Sequence, residues 1–120
     1  MIVRMEEMPA NVVGLSASGK VTAEDYEKVV MPAIENRIEE FGTVRILYHL
    51  GPEFEGFTAG AMWDDVKVGL GHLASWERAA IVTDHEWLAG ATRLFALALP
   101  CPVKVFANDE LDAAKLWIEE

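Results

Sequence analysis

Strand-like and helix-like patterns of apolar residues alternate along this chain. Stretches in which apolar residues recur every three or four positions predict amphipathic helices, and short runs rich in β-branched residues predict strands. The predicted strands cover residues 1–7, 12–18, 44–50, 79–83 and 103–107. The resulting order, β-β-α-β-α-β-α-β-α, is typical of an α/β domain with a mostly parallel sheet of about five strands and four helices. A turn at residues 9–11 predicts that the first strand is antiparallel to the second.

A capping box opens the first predicted helix. In the TAED sequence that begins at Thr22, the side chains of Thr22 and Asp25 are spaced to accept hydrogen bonds from each other's backbone N–H groups. Pro32 lies inside the apolar pattern that follows. Because proline lacks a backbone donor and crowds the preceding turn, we expect a kink or break near residues 30–31.

The centre of the chain combines a buried strand, an aromatic segment and a second helix. The near-continuous apolar run at 44–50 predicts an interior parallel strand. Residues 51–57 (GPEFEGF) predict a loop with two aromatic residues, because they contain flexible glycines at 51 and 56. The second helix is predicted over residues 58–73, with Thr58 as its N-cap.

The third predicted helix, residues 87–99, is apolar on almost every face. A capping box between Thr83 and Glu86 is expected to open it, with Asp84 serving the helix start. A helix that covers one side of a core needs only one apolar face. We therefore expect a ligand, a lipid surface or a second subunit to cover its other side. A last helix is predicted to begin at a cap formed by residue 108 or 109.

Composition limits the classes of function. A chain of 120 residues corresponds to one domain, residues 1–120. Twenty acidic against ten basic residues give a net charge of −10, which repels nucleic-acid phosphates. We expect the acidic residues, Asp64 and Asp65 among them, on outer helix faces and caps, where they keep an apolar chain soluble. A single cysteine, Cys101, and the lack of a signal-peptide pattern favour the cytoplasm.

No pattern of residues predicts catalysis or a cofactor. The glycines of residues 51–60 have neither the lysine of a P-loop nor the spacing of a dinucleotide fingerprint. The three histidines share no metal-ligand spacing, and Cys101 lies between two prolines without a base to activate it. We therefore expect a domain with no enzymatic activity, no catalytic residue, no metal site and no cofactor.

Apolar side chains in the second half of the chain predict a binding site. They cluster around two adjacent strand ends, the edge at which parallel sheets bind ligands. Two interpretations stay open: these side chains fill the core, or they form an apolar pocket or contact surface between the second and third helices, gated by the 51–57 loop. The residues predicted to bind a small non-polar or amphipathic ligand are Phe54, Phe57, Met62, Trp63, Val66, Trp87, Leu88, Ala91, Leu94 and Phe95.

Four segments carry a resemblance to a known family. They are residues 19–26 (GKVTAEDY), 62–72 (MWDDVKVGLGH), 77–84 (ERAAIVTD) followed by Trp87, and the closing Ala114 with Trp117. In these segments, which span nearly the whole chain, the sequence resembles the SpoIIAA-like family, relatives of STAS domains. The resemblance implies a superhelix of β-α turns, a fold class shared with the CRAL-TRIO lipid carriers, and proposed roles in binding non-polar ligands and associating with membranes. It brings no catalytic motif.

One segment departs from the related signalling domains. Anti-sigma-factor antagonists of the STAS group carry a phosphorylatable serine at the start of the helix after the third strand. The corresponding residues 54–60 (FEGFTAG) contain no serine, and their one hydroxyl belongs to Thr58, which is more simply interpreted as an N-cap. A carrier domain for a non-polar ligand or lipid is thus the leading hypothesis, and a STAS-type protein-interaction module is the alternative. Peripheral membrane contact and a homodimer through the third helix are further expectations.

Overall fold

A mixed five-stranded sheet forms the centre of the protein in the computed structural model. The structure describes residues 1–6, 8–97 and 99–120, with the exception of the side chains of Leu70, Leu73 and Phe95. The strands are β1 (Ile2–Arg4), β2 (Val12–Val21), β3 (Val44–Phe57), β4 (Trp76–Thr83) and β5 (Val103–Phe106). They lie side by side in chain order, with β1 antiparallel to β2 and the other pairs parallel. The predicted fold class is confirmed.

Four helices follow the strands in the predicted order. Helix α1 joins β2 to β3 and consists of a first turn at Ala23–Asp25, a π-helical turn at Tyr26–Val30 and an α-helical segment at Met31–Phe41. Helix α2 (Ala59–Gly71) joins β3 to β4, helix α3 (Glu86–Ala96) joins β4 to β5, and helix α4 (Leu111–Glu119) follows β5. Short 3-10 turns at Leu73–Ser75 and Asn108–Glu110 precede β4 and α4.

Both features predicted for α1 are confirmed. The backbone N–H of Asp25 donates to Thr22 Oγ1 at 3.3 Å, and the N–H of Thr22 donates to Asp25 Oδ2 at 2.9 Å. Pro32 lies in the first turn of the α-helical segment, directly after the π-helical turn, which closes with the Met31 N–H bonded to the Tyr26 carbonyl. The expected break is therefore a change from π-helical to α-helical hydrogen bonding at the residue before the proline.

Strand β3 is longer than predicted, and the prediction of a loop at residues 51–57 is wrong. The end of β3 continues to pair with residues 19–21 of β2, after irregularities in the register. Gly19 (φ 60°) and Gly56 (φ 138°) adopt conformations that residues with side chains rarely take. These glycines allow irregularities in the register of β2 and β3, beyond which the two strands remain hydrogen-bonded. Phe54 is only 3% exposed, and it belongs to the core rather than to a gate.

Each face of the sheet carries its own hydrophobic cluster. Successive residues of a strand point to opposite faces, so Ile46 and Tyr48 of β3 belong to the cluster beneath α1, α2 and α3, whereas Leu47 belongs to the cluster beneath α4. The three helices that connect parallel strands thus share one face. Ile118 of α4 is fully buried on the other. This arrangement of successive β-α turns agrees with the superhelix that the family resemblance implies.

The start of α3 differs from the prediction. The hydroxyl of Thr83 accepts a hydrogen bond from the backbone N–H of His85 at 3.1 Å, one residue before the Glu86 of the predicted capping box. Asp84 also does not act on its own helix, because its Oδ1 accepts from the backbone N–H of Asn108 at 2.9 Å. Its carboxylate thereby ties the β4–α3 connection to the β5–α4 connection.

The start of α4 was predicted at the wrong residue. Neither Asn108 nor Asp109 caps an α-helix, because both lie within the 3-10 turn, and α4 begins at Leu111. The acceptor that stabilises this turn is the carboxylate of Glu110, whose Oε1 receives the Ala107 backbone N–H at 2.8 Å. The side chain that bonds to the backbone at the start of this segment is therefore that of Glu110, and not that of Asn108 or Asp109.

Two arginines hold the end of α4 against the sheet. Arg45 of β3 and Arg78 of β4 are register partners and donate to the carbonyl oxygens of Ile118 and Trp117, at 2.7 and 2.8 Å. Glu77 forms an ion pair with Arg45, and this hydrogen-bonded guanidinium lowers the pKa of the glutamate. Positive charge at the carbonyl end of a helix is favourable, so the second face is closed by polar as well as apolar contacts.

Candidate functional site

An apolar cavity of about 330 Å³ lies between α2 and α3, above the first face of the sheet. Its volume falls within the range of small-molecule sites. Its floor consists of β-strand side chains: Ile46, Tyr48, Ala79, Ile81 and Val103. The cavity opens to solvent between the two helices, where Met62 and Trp87 line it and are each 53% exposed. Apart from Asp65, none of its lining residues carries a charge.

Small residues leave this space empty. Ala79 of β4, Gly69 of α2 and Ala91 of α3 all line the cavity, and none of them has a side chain long enough to reach the opposite wall. Larger residues at these positions would bring the two helices and the sheet into direct contact, as in an ordinary close-packed core. Small side chains at these three positions thus contribute to the open space.

The structure brings together six of the ten residues predicted to bind a ligand. Phe57, Met62, Val66, Trp87, Leu88 and Ala91 all line the cavity. Phe54 lies behind this lining, with its ring centroid 5.0 Å from that of Phe57. Trp63 and Leu94 do not line the cavity and are 64% and 72% exposed, and the side chain of Phe95 lies outside the described residues. A role in ligand binding stays a prediction for all ten.

One end of the cavity is polar. Tyr48 and Asp65 line it, and both contact the hydroxyl of Tyr26, which is fully buried in α1. The Tyr26 hydroxyl donates to Asp65 Oδ1 at 2.7 Å and lies 3.1 Å from the Tyr48 hydroxyl. Because the single Tyr26 proton is directed at the carboxylate, Tyr48 is the donor between the two tyrosines. The hydrogen bonds therefore run from Tyr48 to Tyr26 to Asp65.

Burial perturbs the titration of all three groups. Desolvation raises the pKa of Asp65, and the hydrogen bond from Tyr26 opposes that rise. Desolvation also raises the pKa values of Tyr26 and Tyr48, so both phenols stay protonated at neutral pH. Asp65 is exposed to water where it borders the open cavity, so solvent screens its charge and limits the rise in its pKa. A carboxylate with a raised pKa in an apolar cleft marks a candidate functional residue.

The outward orientation predicted for Asp64 is wrong, whereas Asp65 is exposed as predicted but also lines the cavity. Asp64 is 5% exposed, and its Oδ1 lies 3.4 Å from Lys67 Nζ. Asp65 lies three residues after Met62 and four before Gly69, and both of these line the cavity. This spacing places Asp65 on the lining face of the helix, a signal that was present in the sequence but hidden by its acidic neighbour.

Other chemically reactive residues do not assemble into a site. Within residues 1–6, 8–97 and 99–120, no group of three or more His, Cys, Asp or Glu residues is placed to hold a metal ion. Cys101 is half-buried, and desolvation raises the pKa of its thiol, which disfavours the reactive thiolate. None of the helices in the described part of the chain combines the length and the apolar character needed to cross a membrane.

Comparisons with known proteins agree on one family. The family model for SpoIIAA-like proteins matches residues 12–119. A crystal structure of an uncharacterized protein of the DUF3478 family from Shewanella loihica PV-4, with a SpoIIAA-like fold, shares 30% sequence identity and a TM-score of 0.76, over 98% of this chain and 93% of that chain. No curated protein matches the chain. By sequence over almost its whole length and by fold, the chain belongs to the SpoIIAA-like family.

Proposed function

We propose that this protein binds a small non-polar or amphipathic molecule in the cavity between α2 and α3, without catalysing a reaction on it. The observation that carries the proposal is the cavity itself: about 330 Å³ of space with almost entirely apolar walls, open to solvent between two helices. Empty apolar space leaves its lining without packing partners. A ligand restores those contacts, and burial of its apolar surface drives its entry.

The chemistry of the cavity argues for binding rather than turnover. Asp65 is the one charged residue among the described residues that line the cavity, and it accepts a hydrogen bond from the buried Tyr26 hydroxyl. Burial holds both tyrosines protonated, so neither supplies a general base beside Asp65. The arrangement supports a carrier or sensor of an apolar molecule.

Replacing Ala91 by tryptophan is expected to abolish binding. Ala91 lines the cavity from α3 and is itself exposed, so an indole fits there without disturbing the core and fills the space from its open side. We expect at least a tenfold loss of affinity for an apolar fluorescent probe, measured by titration. Ala113→Trp, an exposed position on α4, is the matched control and should bind like the unchanged protein.

Two results would count against the proposed function. The first is unchanged probe affinity in the Ala91→Trp variant, because the probe then binds elsewhere. The second is the absence of probe binding by the unchanged protein, together with organic extracts of the native protein in which mass spectrometry finds no copurifying small molecule. The converse result, a copurifying molecule lost in the Ala91→Trp variant but kept in the Ala113→Trp variant, identifies the ligand directly.

A second candidate function, a protein-interaction module, is favoured by the outer side of α3 and the turn after it. Leu94 and Leu97 there are 72% and 84% exposed, and apolar side chains of this size on one surface are typical of contact sites. Replacing Leu94 by glutamate should abolish self-association or partner binding, seen by sedimentation velocity, or vesicle binding, seen by flotation. It should leave probe affinity unchanged, because Leu94 does not line the cavity. A monomer that binds no vesicles before the substitution contradicts this second function.

A further inference from the structure

The arrangement of Asp65 points to a ligand of a particular class: we infer that the cavity holds an amphipathic amine, with its ammonium group on the Asp65 carboxylate and its apolar body between α2 and α3. The inference rests on the proposed function, because it names the head group of the molecule bound in the same cavity. It starts from a solvent-accessible carboxylate on the wall of an otherwise apolar space.

The hydrogen bonds around Asp65 leave one of its oxygens available. Tyr26 donates its only hydroxyl proton to Oδ1, and Tyr48 in turn donates to Tyr26. Among the described residues, no hydrogen bond and no ion pair reaches Oδ2 of Asp65. The tyrosines therefore fix the orientation of the carboxylate, and its second oxygen is left for a donor that enters through the cavity.

The charge of Asp65 is not compensated by the protein. Among the described residues, no lysine or arginine lines the cavity, and no cation is among the causes that shift the pKa of Asp65. A ligand that fills the cavity displaces water from this exposed carboxylate, and a cationic partner compensates the charge that is then removed from water. An ammonium group supplies both the missing charge and the missing hydrogen-bond donor.

The other ligand classes fit this end of the cavity less well. A fatty acid or another anion would place its charge beside Asp65, and the net charge of −10 would oppose its approach. A neutral alcohol can donate one hydrogen bond to Oδ2 but leaves the charge uncompensated. Aromatic rings of Tyr48, Phe57 and Trp87 line the same space, and the faces of such rings attract cations.

Three probes that share one apolar chain and differ only in the head group test this inference. We expect the unchanged protein to bind n-octylamine at least tenfold more tightly than 1-octanol, and octanoate more weakly than either, as measured by titration calorimetry at fixed ionic strength. Asp65→Asn should reduce the affinity for octylamine to within threefold of that for octanol, while the affinity for octanol itself changes less than threefold. The retained octanol binding shows that the variant keeps an intact cavity.

A matched charge control separates the Asp65 carboxylate from the general attraction of an acidic protein for cations. Asp112→Asn makes the same change in net charge at an exposed position on α4 and should keep the full preference for octylamine. Equal affinity for the three probes, a preference for octanoate, or the same loss in both variants overturns the assignment of the head group and leaves the proposed function standing. Failure of all three probes to bind the unchanged protein overturns both.

Discussion

Replacing Tyr26 by phenylalanine is expected to destabilise the protein by about 2–3 kcal/mol, although the ring stays buried. The change removes one oxygen atom that serves two partners: it donates to Asp65 at 2.7 Å and accepts from Tyr48 at 3.1 Å. The carboxylate then loses a charged hydrogen bond, and the buried Tyr48 hydroxyl loses its acceptor. Thermal unfolding should move down by about 10 °C.

Tyr48→Phe is the matched control for this prediction. It removes the outer hydroxyl of the same chain of hydrogen bonds but leaves the bond between Tyr26 and Asp65 in place, so we expect a loss of about 1 kcal/mol. Urea unfolding followed by circular dichroism gives both free energies on one scale. If the two variants are equally unstable, the proton order from Tyr48 to Tyr26 to Asp65 is incorrect.

The elements that the sequence predicted correctly depend on local interactions. The capping box at Thr22 and Asp25 spans four residues, and the break before Pro32 follows from the geometry of a single ring. Thr58 caps α2 as predicted, because its hydroxyl accepts the Ala61 N–H within the same turn. Alternation of strand and helix patterns then sufficed for the fold class, since sequential parallel strands allow few topologies.

The elements that the sequence missed depend on partners far along the chain. Residues 51–57 read as a loop because of their glycines and proline, but they are paired with β2, and the bulges at Gly19 and Gly56 make that pairing possible. The start of α3 was likewise missed because Asp84 bonds to Asn108, 24 residues later. A local pattern carries no information about such partners.

In the candidate site, too, the part that was predicted depends on local spacing, and the part that was missed depends on residues distant in sequence. Apolar spacing identified five of the lining residues on the two helices, since a helical stripe is a local property: Met62, Val66, Trp87, Leu88 and Ala91. The polar end joins Tyr26 to residues 22 and 39 positions away, Tyr48 and Asp65. It forms only after α1 and α2 have packed on β3, and Tyr26 alone read as an ordinary core residue. Asp65 was assigned to solvent because a carboxylate beside Asp64 is usually part of a polar face.

Replacing Asp65 by asparagine is expected to stabilise the unligated protein at neutral pH. Asparagine is nearly the same shape, and its amide oxygen still accepts the Tyr26 hydroxyl, but it carries no charge to desolvate. Because Asp65 borders an open cavity, water screens part of the penalty, and we expect a gain of about 1 kcal/mol, or about 3–5 °C in the temperature of unfolding. A residue that lowers stability where it stands is typical of a binding site.

The pH dependence of this gain has a defined sign. Burial raises the pKa of Asp65 above its unfolded value, so the group's contribution to stability is fully present below the unfolded pKa and is lost as the pH rises through the folded pKa. The two proteins should therefore unfold at similar temperatures in acid, where Asp65 is protonated in both states. The advantage of the Asp65→Asn variant should grow as the pH rises and then level off above the folded pKa of Asp65. A gain that is the same at every pH, or a loss at neutral pH, would mean that Asp65 is not a desolvated carboxylate in the folded protein.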